Sequence, residues 1–158
     1  MIRTIVVEAA YGAPADRVFE QALDVSEMQN AMQGLAIYEG LPDRKIVEGD
    51  KLCVDVTFLN LFKSRNHVMY VERLDRGARV VQSREYNPTI KRWDHTLSVQ
   101  PVTHGCLWRD TIVLDAGATT WLTAWFCRLV YTRRHRMRDA DSIRALIVRG
   151  DINKRHYQ

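Results

Sequence analysis

The sequence lacks the short motifs that mark the commonest nucleotide-binding and catalytic sites. It contains no P-loop, dinucleotide fingerprint, zinc-ligand spacing or Gly-x-Ser-x-Gly elbow. Its three cysteines, Cys53, Cys106 and Cys127, are widely separated and odd in number. They fit neither a disulfide framework nor a metal site, which indicates reduced thiols in a cytoplasmic protein. We expect no metal and no cofactor, so any catalysis must come from scattered polar side chains.

Long apolar runs are also missing. The N-terminal apolar segment is short and reaches Glu8, which argues against a secretory signal. The uncharged stretch 116–127 ends at Arg128, well short of the roughly 20 residues that a bilayer requires. With 46% hydrophobic and 27% charged residues and no repeat or linker, the chain is typical of a globular protein. We expect one domain over residues 1–150 and a flexible tail at 151–158.

Positive charge is concentrated near the C-terminus. Between Arg128 and Arg138 there are five arginines and His135, with no acidic residue among them. Cations suit the C-terminal half of a helix, where the helix dipole is negative. The alternative is peripheral contact with an anionic membrane or a protein through Arg128, Arg133, Arg134, Arg136 and Arg138. The aromatic-interleaved basic strands typical of RNA readers are missing, so we expect no nucleic-acid partner.

The hydrophobic pattern predicts a strand, two short helices, about six further strands and one long helix. Residues 2–11 are rich in β-branched and apolar side chains, as in a strand. Pro14 is placed to begin the first short helix, and Asp24 or Ser26 to cap the second. The later strand-like segments are joined by short turns, such as residues 75–77, which implies antiparallel neighbours. This order predicts an α+β fold.

The last third of the chain predicts a long helix that begins near Thr119 or Thr120 and reaches at least Met137. Its large apolar residues fall on one stripe at helical spacing, which indicates a buried face. That stripe comprises Leu122, Trp125, Phe126, Leu129 and Met137. A curved sheet wrapped around the helix would supply a surface broad enough for these aromatic side chains. We therefore predict an apolar space between sheet and helix.

This order of elements resembles the START-like helix-grip superfamily, also called SRPBCC, which includes polyketide cyclases, pollen-allergen-like lipid binders and ubiquinone-binding proteins. The matching segments are APADRVF at 13–19, WRDTIV at 108–113, and the aromatic helix that runs into residues 133–134. The resemblance implies a curved antiparallel sheet of about six to seven strands around a long C-terminal helix, with two short helices after the first strand. It also implies a cavity for a hydrophobic or amphipathic small molecule, such as a lipid, polyketide, quinone or other aromatic. Enzymes, carriers and regulators all use this scaffold.

The candidate ligand contacts are the residues expected to face inward. Aromatic residues among them would suit a flat ring system, namely Trp93, Trp108, Trp125 and Phe126. Ordinary core packing is the alternative for each. The candidates are Val56, Phe58, Met69, Trp93, His95, Leu97, Trp108, Ile112, Leu122, Trp125, Phe126 and Leu129. We expect binding without chemistry as the main function, and an aromatase/cyclase-like enzyme acting on a polyketide as the alternative.

His95 and Asp110 are the candidate catalytic residues. Both are expected to face inward from adjacent strands, where they could form an acid–base pair for enolisation or dehydration while Arg65 polarises a ketone. The alternatives are a hydrogen-bonded core histidine and a structural salt bridge from Asp110 to Arg65 or Arg73. His67 is a third candidate, but the phase of its strand is ambiguous. Either His67, Met69 and Val71 or Val68, Tyr70 and Leu74 face inward.

Overall fold

The computed structural model describes the backbone of residues 1–153 and the side chains of residues 1–138, apart from that of residue 62. Its elements are β1 (Arg3–Tyr11), α1 (Ala15–Ala22), α2 (Val25–Ala31), β2 (Ala36–Glu39), β3 (Lys51–Phe58), β4 (Phe62–Asp75), β5 (Val80–Asn87), β6 (Ile90–Val102), β7 (Gly105–Asp115), a 3-10 turn (Gly117–Thr119) and α3 (Thr120–Asn153). The predicted tail begins inside α3, and residues 154–158 lie outside the described residues.

The seven strands form one antiparallel sheet in the order β1-β7-β6-β5-β4-β3-β2. Because β1 pairs with β7, the first and last strands lie side by side and the remaining strands extend from β7 as a meander. Register shifts interrupt β3, β4 and β5 near residues 54–56, 71–73 and 85–87. Bulges of this kind bend strands and increase their twist. The resulting curled half-barrel around α3 confirms the predicted fold class.

The two short helices follow β1 as predicted and cover one part of the sheet. Pro14 precedes the first residue of α1, and Val18 and Phe19 are buried on the inner face of that helix. Asp24 is the N-cap of α2, and its carboxylate accepts a 3.0 Å hydrogen bond from the backbone N–H of Ser26. This bond satisfies one of the donors that a helix start leaves unpaired.

The face of α3 that meets the sheet differs from the predicted stripe. Leu122, Trp125 and Leu129 are 48%, 61% and 43% exposed, so their assignment to a buried face is wrong. The inward positions include Ala124, Cys127, Val130 and Tyr131. Apolar side chains occur on more than one side of this helix, so hydropathy alone favours no single rotation about its axis. No described helix is long and apolar enough to span a bilayer.

Two clusters of buried apolar side chains attach the helices to the sheet. In the first, α3 packs against β1, β3 and β7, with Ile112 and Leu114 fully buried. In the second, α1 packs against β6 and β7, with Phe19 and Trp108 each about 1% exposed. Burial of one such large side chain stabilises the fold by about 1.5–3 kcal/mol. These clusters hold the helices against the sheet on either side of the space between them.

Candidate functional site

A cavity of about 750 Å³ lies between the concave face of the sheet and helices α2 and α3. Its walls are mainly apolar, with a few polar groups that converge from β4, β5, β6 and α3. Successive strand residues point to opposite faces, so each strand contributes alternate side chains to the wall. The volume falls within the range of about 300–1,000 Å³ that is usual for small-molecule sites.

Most of the predicted ligand contacts line this cavity. They are Val56, Phe58, Met69, Trp93, His95, Leu97, Leu122, Trp125 and Phe126. Three predicted contacts lie elsewhere: Trp108 and Ile112 are packed in the two core clusters, and Leu129 is exposed. The first two face inward as expected, but α1 and α3 cover them completely. A ligand-binding role for the lining residues stays a prediction.

The cavity opens where exposed apolar residues form part of its lining. Leu59, Leu122 and Trp125 all line the cavity and are 48%, 48% and 61% exposed. Leu59 belongs to the turn between β3 and β4, whereas the other two lie in the first turns of α3. Beneath them, Phe58 and Phe126 meet edge to face with ring centroids 5.2 Å apart. The entrance is therefore apolar and aromatic.

The predicted His95–Asp110 pair is present, and it belongs to a longer chain of hydrogen bonds. His95 Nε2 lies 2.8 Å from Asp110 Oδ1, and His135 Nε2 lies 2.9 Å from Asp110 Oδ2. The Tyr11 hydroxyl lies 2.7 Å from the other ring nitrogen of His135. His95 lines the cavity, whereas Asp110 is completely buried behind it. Asp110 thus orients the imidazole from behind, away from the cavity.

Asp110 stays ionised despite its burial. Burial by itself would raise the pKa of Asp110, but the hydrogen bonds from His135 and His95 outweigh it and hold the pKa well below its usual range. The alternative salt bridge to Arg65 or Arg73 is wrong. Arg73 pairs with Asp75 at 2.8 Å, and Arg65 is exposed and lies outside the lining of the cavity. Arg65 is therefore not placed to polarise a bound ketone.

A second histidine–carboxylate pair, which we did not predict, lines the same wall. His67 Nε2 lies 3.0 Å from Glu85 Oε2, and the Ser83 hydroxyl donates to Glu85 Oε1 at 3.2 Å. Glu85 Oε1 is also 3.9 Å from His95 Nδ1, which links the two pairs across the wall. Burial opposes ionisation of Glu85, but the contacts with His67, His95 and Ser83 leave its pKa below the usual value.

This second pair forms because His67 on β4 and Glu85 on β5 both point to the concave face of the sheet. His67, Met69 and Val71 line the cavity, which resolves the ambiguity of that strand. On β5, Ser83 and Glu85 are buried while their sequence neighbours are less so. The sequence of β5 does not show this alternation, because Val80 and Val81 are both apolar and Glu85 follows other polar residues. No group of three or more His, Cys, Asp or Glu among the described residues is arranged to hold a metal ion.

The C-terminal arginines divide between interior and surface. Arg134 and Arg138 are only 8% and 7% exposed, so their assignment to a peripheral contact surface is wrong. Arg138 pairs with Glu27 of α2, and its guanidinium lies 4.2 Å from the centroid of the Trp108 ring. Arg128, Arg133 and Arg136 are exposed, so a surface contact would depend on these three.

Several solved structures have folds similar to this one. CV1439 from Chromobacterium violaceum superposes with a TM-score of 0.68 at 15% identity, over 85% of this chain and 92% of that one. TTHA0849 from Thermus thermophilus gives 0.63 at 14% identity, over 89% and 99%. Ara h 8.0201 gives 0.59 at 9% identity, over 85% and 96%. No protein-family model and no curated protein sequence matches this chain. The chain therefore has the helix-grip, or Bet v1-like, fold.

Proposed function

We propose that residues 1–150 form a START-like domain that binds a hydrophobic or amphipathic small molecule between the sheet and α3. The observation that carries the proposal is the cavity of about 750 Å³ with mainly apolar walls and an apolar entrance. Its aromatic lining, which includes Trp93 and Phe126, suits a lipid, polyketide, quinone or other aromatic guest. The cytoplasmic location remains part of this proposal and rests on the three free thiols.

A pair of neighbouring substitutions on β4 tests the binding function. Met69 lines the cavity, whereas Tyr70 is 37% exposed on the other face of the same strand. Met69→Trp should fill part of the cavity and weaken binding of a guest roughly tenfold, or about 1.4 kcal/mol. Tyr70→Trp, the matched control, should leave affinity unchanged. Native mass spectrometry of the gently purified protein would identify a guest directly, and titration with that guest would measure both variants.

The binding proposal has a clear opposing result. If neither fatty acids, quinones nor flavonoids bind saturably to the wild-type protein, and no guest co-purifies with it, the cavity is not a ligand site. Equal affinity of the Met69→Trp and Tyr70→Trp variants for a guest would place that guest outside the cavity.

A second candidate function is cyclase-like enolisation, which is favoured by the 2.8 Å contact between His95 and Asp110 beside the cavity. When Nε2–H donates to Asp110, Nδ1 of His95 keeps its lone pair and can accept a proton from the carbon next to a ketone. The C–H electron pair then moves to the ketone oxygen as an enolate. Asp110 stabilises the imidazolium that forms. Transfer of that proton from the imidazolium to the enolate oxygen would complete the enolisation.

Deuterium exchange at the α-carbon of a bound hydrophobic β-diketone tests this second function. His95→Ala should reduce the exchange rate by about 100-fold or more while ligand affinity stays within about threefold. His104→Ala is the control, since His104 is exposed in the turn between β6 and β7. If the wild-type protein exchanges deuterium no faster than buffer alone does, the enzymatic function is contradicted. The binding function is unaffected by that result.

A further inference from the structure

We propose that the guest is an amphipathic monoanion, and that Arg134 of α3 binds its carboxylate inside the cavity. This inference rests on the proposed binding function and specifies the chemical class of the ligand. The remaining contacts of the site are hydroxyl groups on β2 and α3, and the long apolar wall accommodates the tail of the guest.

Arg134 is a buried cation with no ion-pair partner in the described part of the chain. It lines the cavity and is only 8% exposed. Among the described residues, no carboxylate oxygen lies within 4.0 Å of its guanidinium, and its Nε has no hydrogen-bond partner. Its guanidinium carbon lies 5.9 Å from the centroid of the Tyr131 ring. A buried guanidinium that lacks such partners is costly, which favours an anion from outside the chain.

The nearest carboxylates are already occupied by other donors. Both oxygens of Asp110 bond to histidines, and both oxygens of Glu27 bond to Arg138. Burial would lower the pKa of Arg134. The electrostatic attraction of nearby groups, of which Asp110 contributes most, outweighs burial and raises the pKa. Arg134 therefore stays charged. Its guanidinium fork matches the two oxygens of a carboxylate.

Two tyrosine hydroxyls supply further donors at this end of the cavity. Tyr38 and Tyr131 line it, and neither hydroxyl forms a hydrogen bond with a described residue. Burial raises the pKa of Tyr38 to about 12, so its hydroxyl remains a neutral donor at ordinary pH. Burial also raises the pKa of Tyr131 well above its usual value. An anionic oxygen between these groups would thus meet two hydroxyl donors and a guanidinium, with the Glu85 carboxylate of the same lining as the opposing charge.

The local charge favours one negative charge over two. Arg134 is the single cation without an ion-pair partner in the described lining, while Asp110 and Glu27 contribute negative fields nearby and the Glu85 carboxylate lines the same cavity. A phosphate monoester dianion would be only half neutralised there and would be repelled by those carboxylates. Lining positions on α3 extend from Leu122 to Arg134, about 18 Å at 1.5 Å per residue. That length accommodates an extended ten-carbon acyl chain, with its carboxylate at Arg134 and its tail toward the apolar entrance.

Calorimetric titration with decanoate, 1-decanol and decyl phosphate tests the inference. We expect the wild-type protein to bind decanoate at least about tenfold more tightly than 1-decanol, and more tightly than decyl phosphate. Arg134→Met should lower decanoate affinity roughly tenfold or more and leave 1-decanol affinity unchanged. Arg133→Met removes the same charge from the exposed neighbouring position of the same helix and should change neither affinity.

The outcomes separate this inference from the proposed function. Equal affinities of the wild-type protein for decanoate and 1-decanol would overturn the anion site and leave hydrophobic binding intact. No binding of any of the three would contradict both. Tighter binding of decyl phosphate would overturn the monoanion. The comparison of decanoate with 1-decanol uses only the wild-type protein. It therefore tests the anion site even if Arg134→Met fails to fold.

Discussion

The carboxylate of Asp110 on β7 lies 2.9 Å from Nε2 of His135 on α3, so a buried polar contact joins the sheet to the helix that it grips. The other oxygen of Asp110 bonds to His95 on β6, beside the cavity. A buried network of this kind is stable only when every member is paired. The same carboxylate therefore orients a side chain in the cavity wall and holds α3 against the sheet.

Replacing Asp110 by Asn should destabilise the protein by about 3–5 kcal/mol, because the charge is removed from a buried network and one of the two imidazoles then faces an amide NH2 instead of an acceptor. Asp94→Asn on β6 is the matched control. Its carboxylate is partly exposed and pairs with the exposed Arg92 at 2.5 Å, so the loss should be about 1 kcal/mol or less. Urea unfolding of both variants measures the difference. Equal losses would contradict a structural role for the Asp110 network.

Stability should decrease in acid, and Asp110 and Glu85 should contribute to the decrease. The pKa of each is lower in the folded protein than its ordinary value near 4. The unfolded chain therefore takes up protons first as pH falls, so the stabilisation is complete above that ordinary pKa and is lost below it. Urea midpoints measured between pH 3 and pH 7 should fall toward pH 3. The fall should be shallower in Asp110→Asn, and parallel curves would contradict this assignment.

The tryptophans that the sequence grouped together should differ in their effect on stability. Trp108 is 1% exposed and packs against Tyr11, His135 and Arg138, so Trp108→Ala should cost about 3–5 kcal/mol. Trp125 is 61% exposed at the entrance, and Trp125→Ala should change the free energy of unfolding by about 0.5 kcal/mol or less. Thermal and urea unfolding measure both. A large loss in Trp125→Ala would contradict its exposed position.

Gly105 is required by the tight turn between β6 and β7. Its φ is +138°, and a Cβ at this position would collide with the backbone carbonyl oxygen of Tyr11. Gly105→Ala should therefore destabilise the protein by about 1–3 kcal/mol or more, since both backbone strain and a clash must be relieved. Gly12→Ala is the control, because a Cβ there meets nothing within 4 Å. Its urea midpoint should match that of the wild type.

Much of the sheet follows from the sequence because a strand has only two faces. Once Trp93 and Leu97 are assigned inward, alternation places His95 inward as well, and the adjacent strand places Asp110 beside it. On β4 both faces carry apolar residues, so alternation alone does not decide which face points inward. The sequence therefore leaves the orientation of His67 open. Its partner Glu85 then remained unrecognised, since the contact joins residues on separate strands.

Local sequence patterns are enough to predict the order of elements, the antiparallel sheet and the inward faces of β3, β6 and β7, because period-2 alternation and turn residues are local signals. The rotation of α3, by contrast, depends on how the chain packs. Packing turns Ala124, Cys127 and Arg134 toward the sheet and leaves Trp125 at the entrance. The physical reason is that a helix with apolar residues on several sides has no unique buried face until the sheet curves around it. The cavity, and the position of Arg134 in its wall, are consequences of that packing.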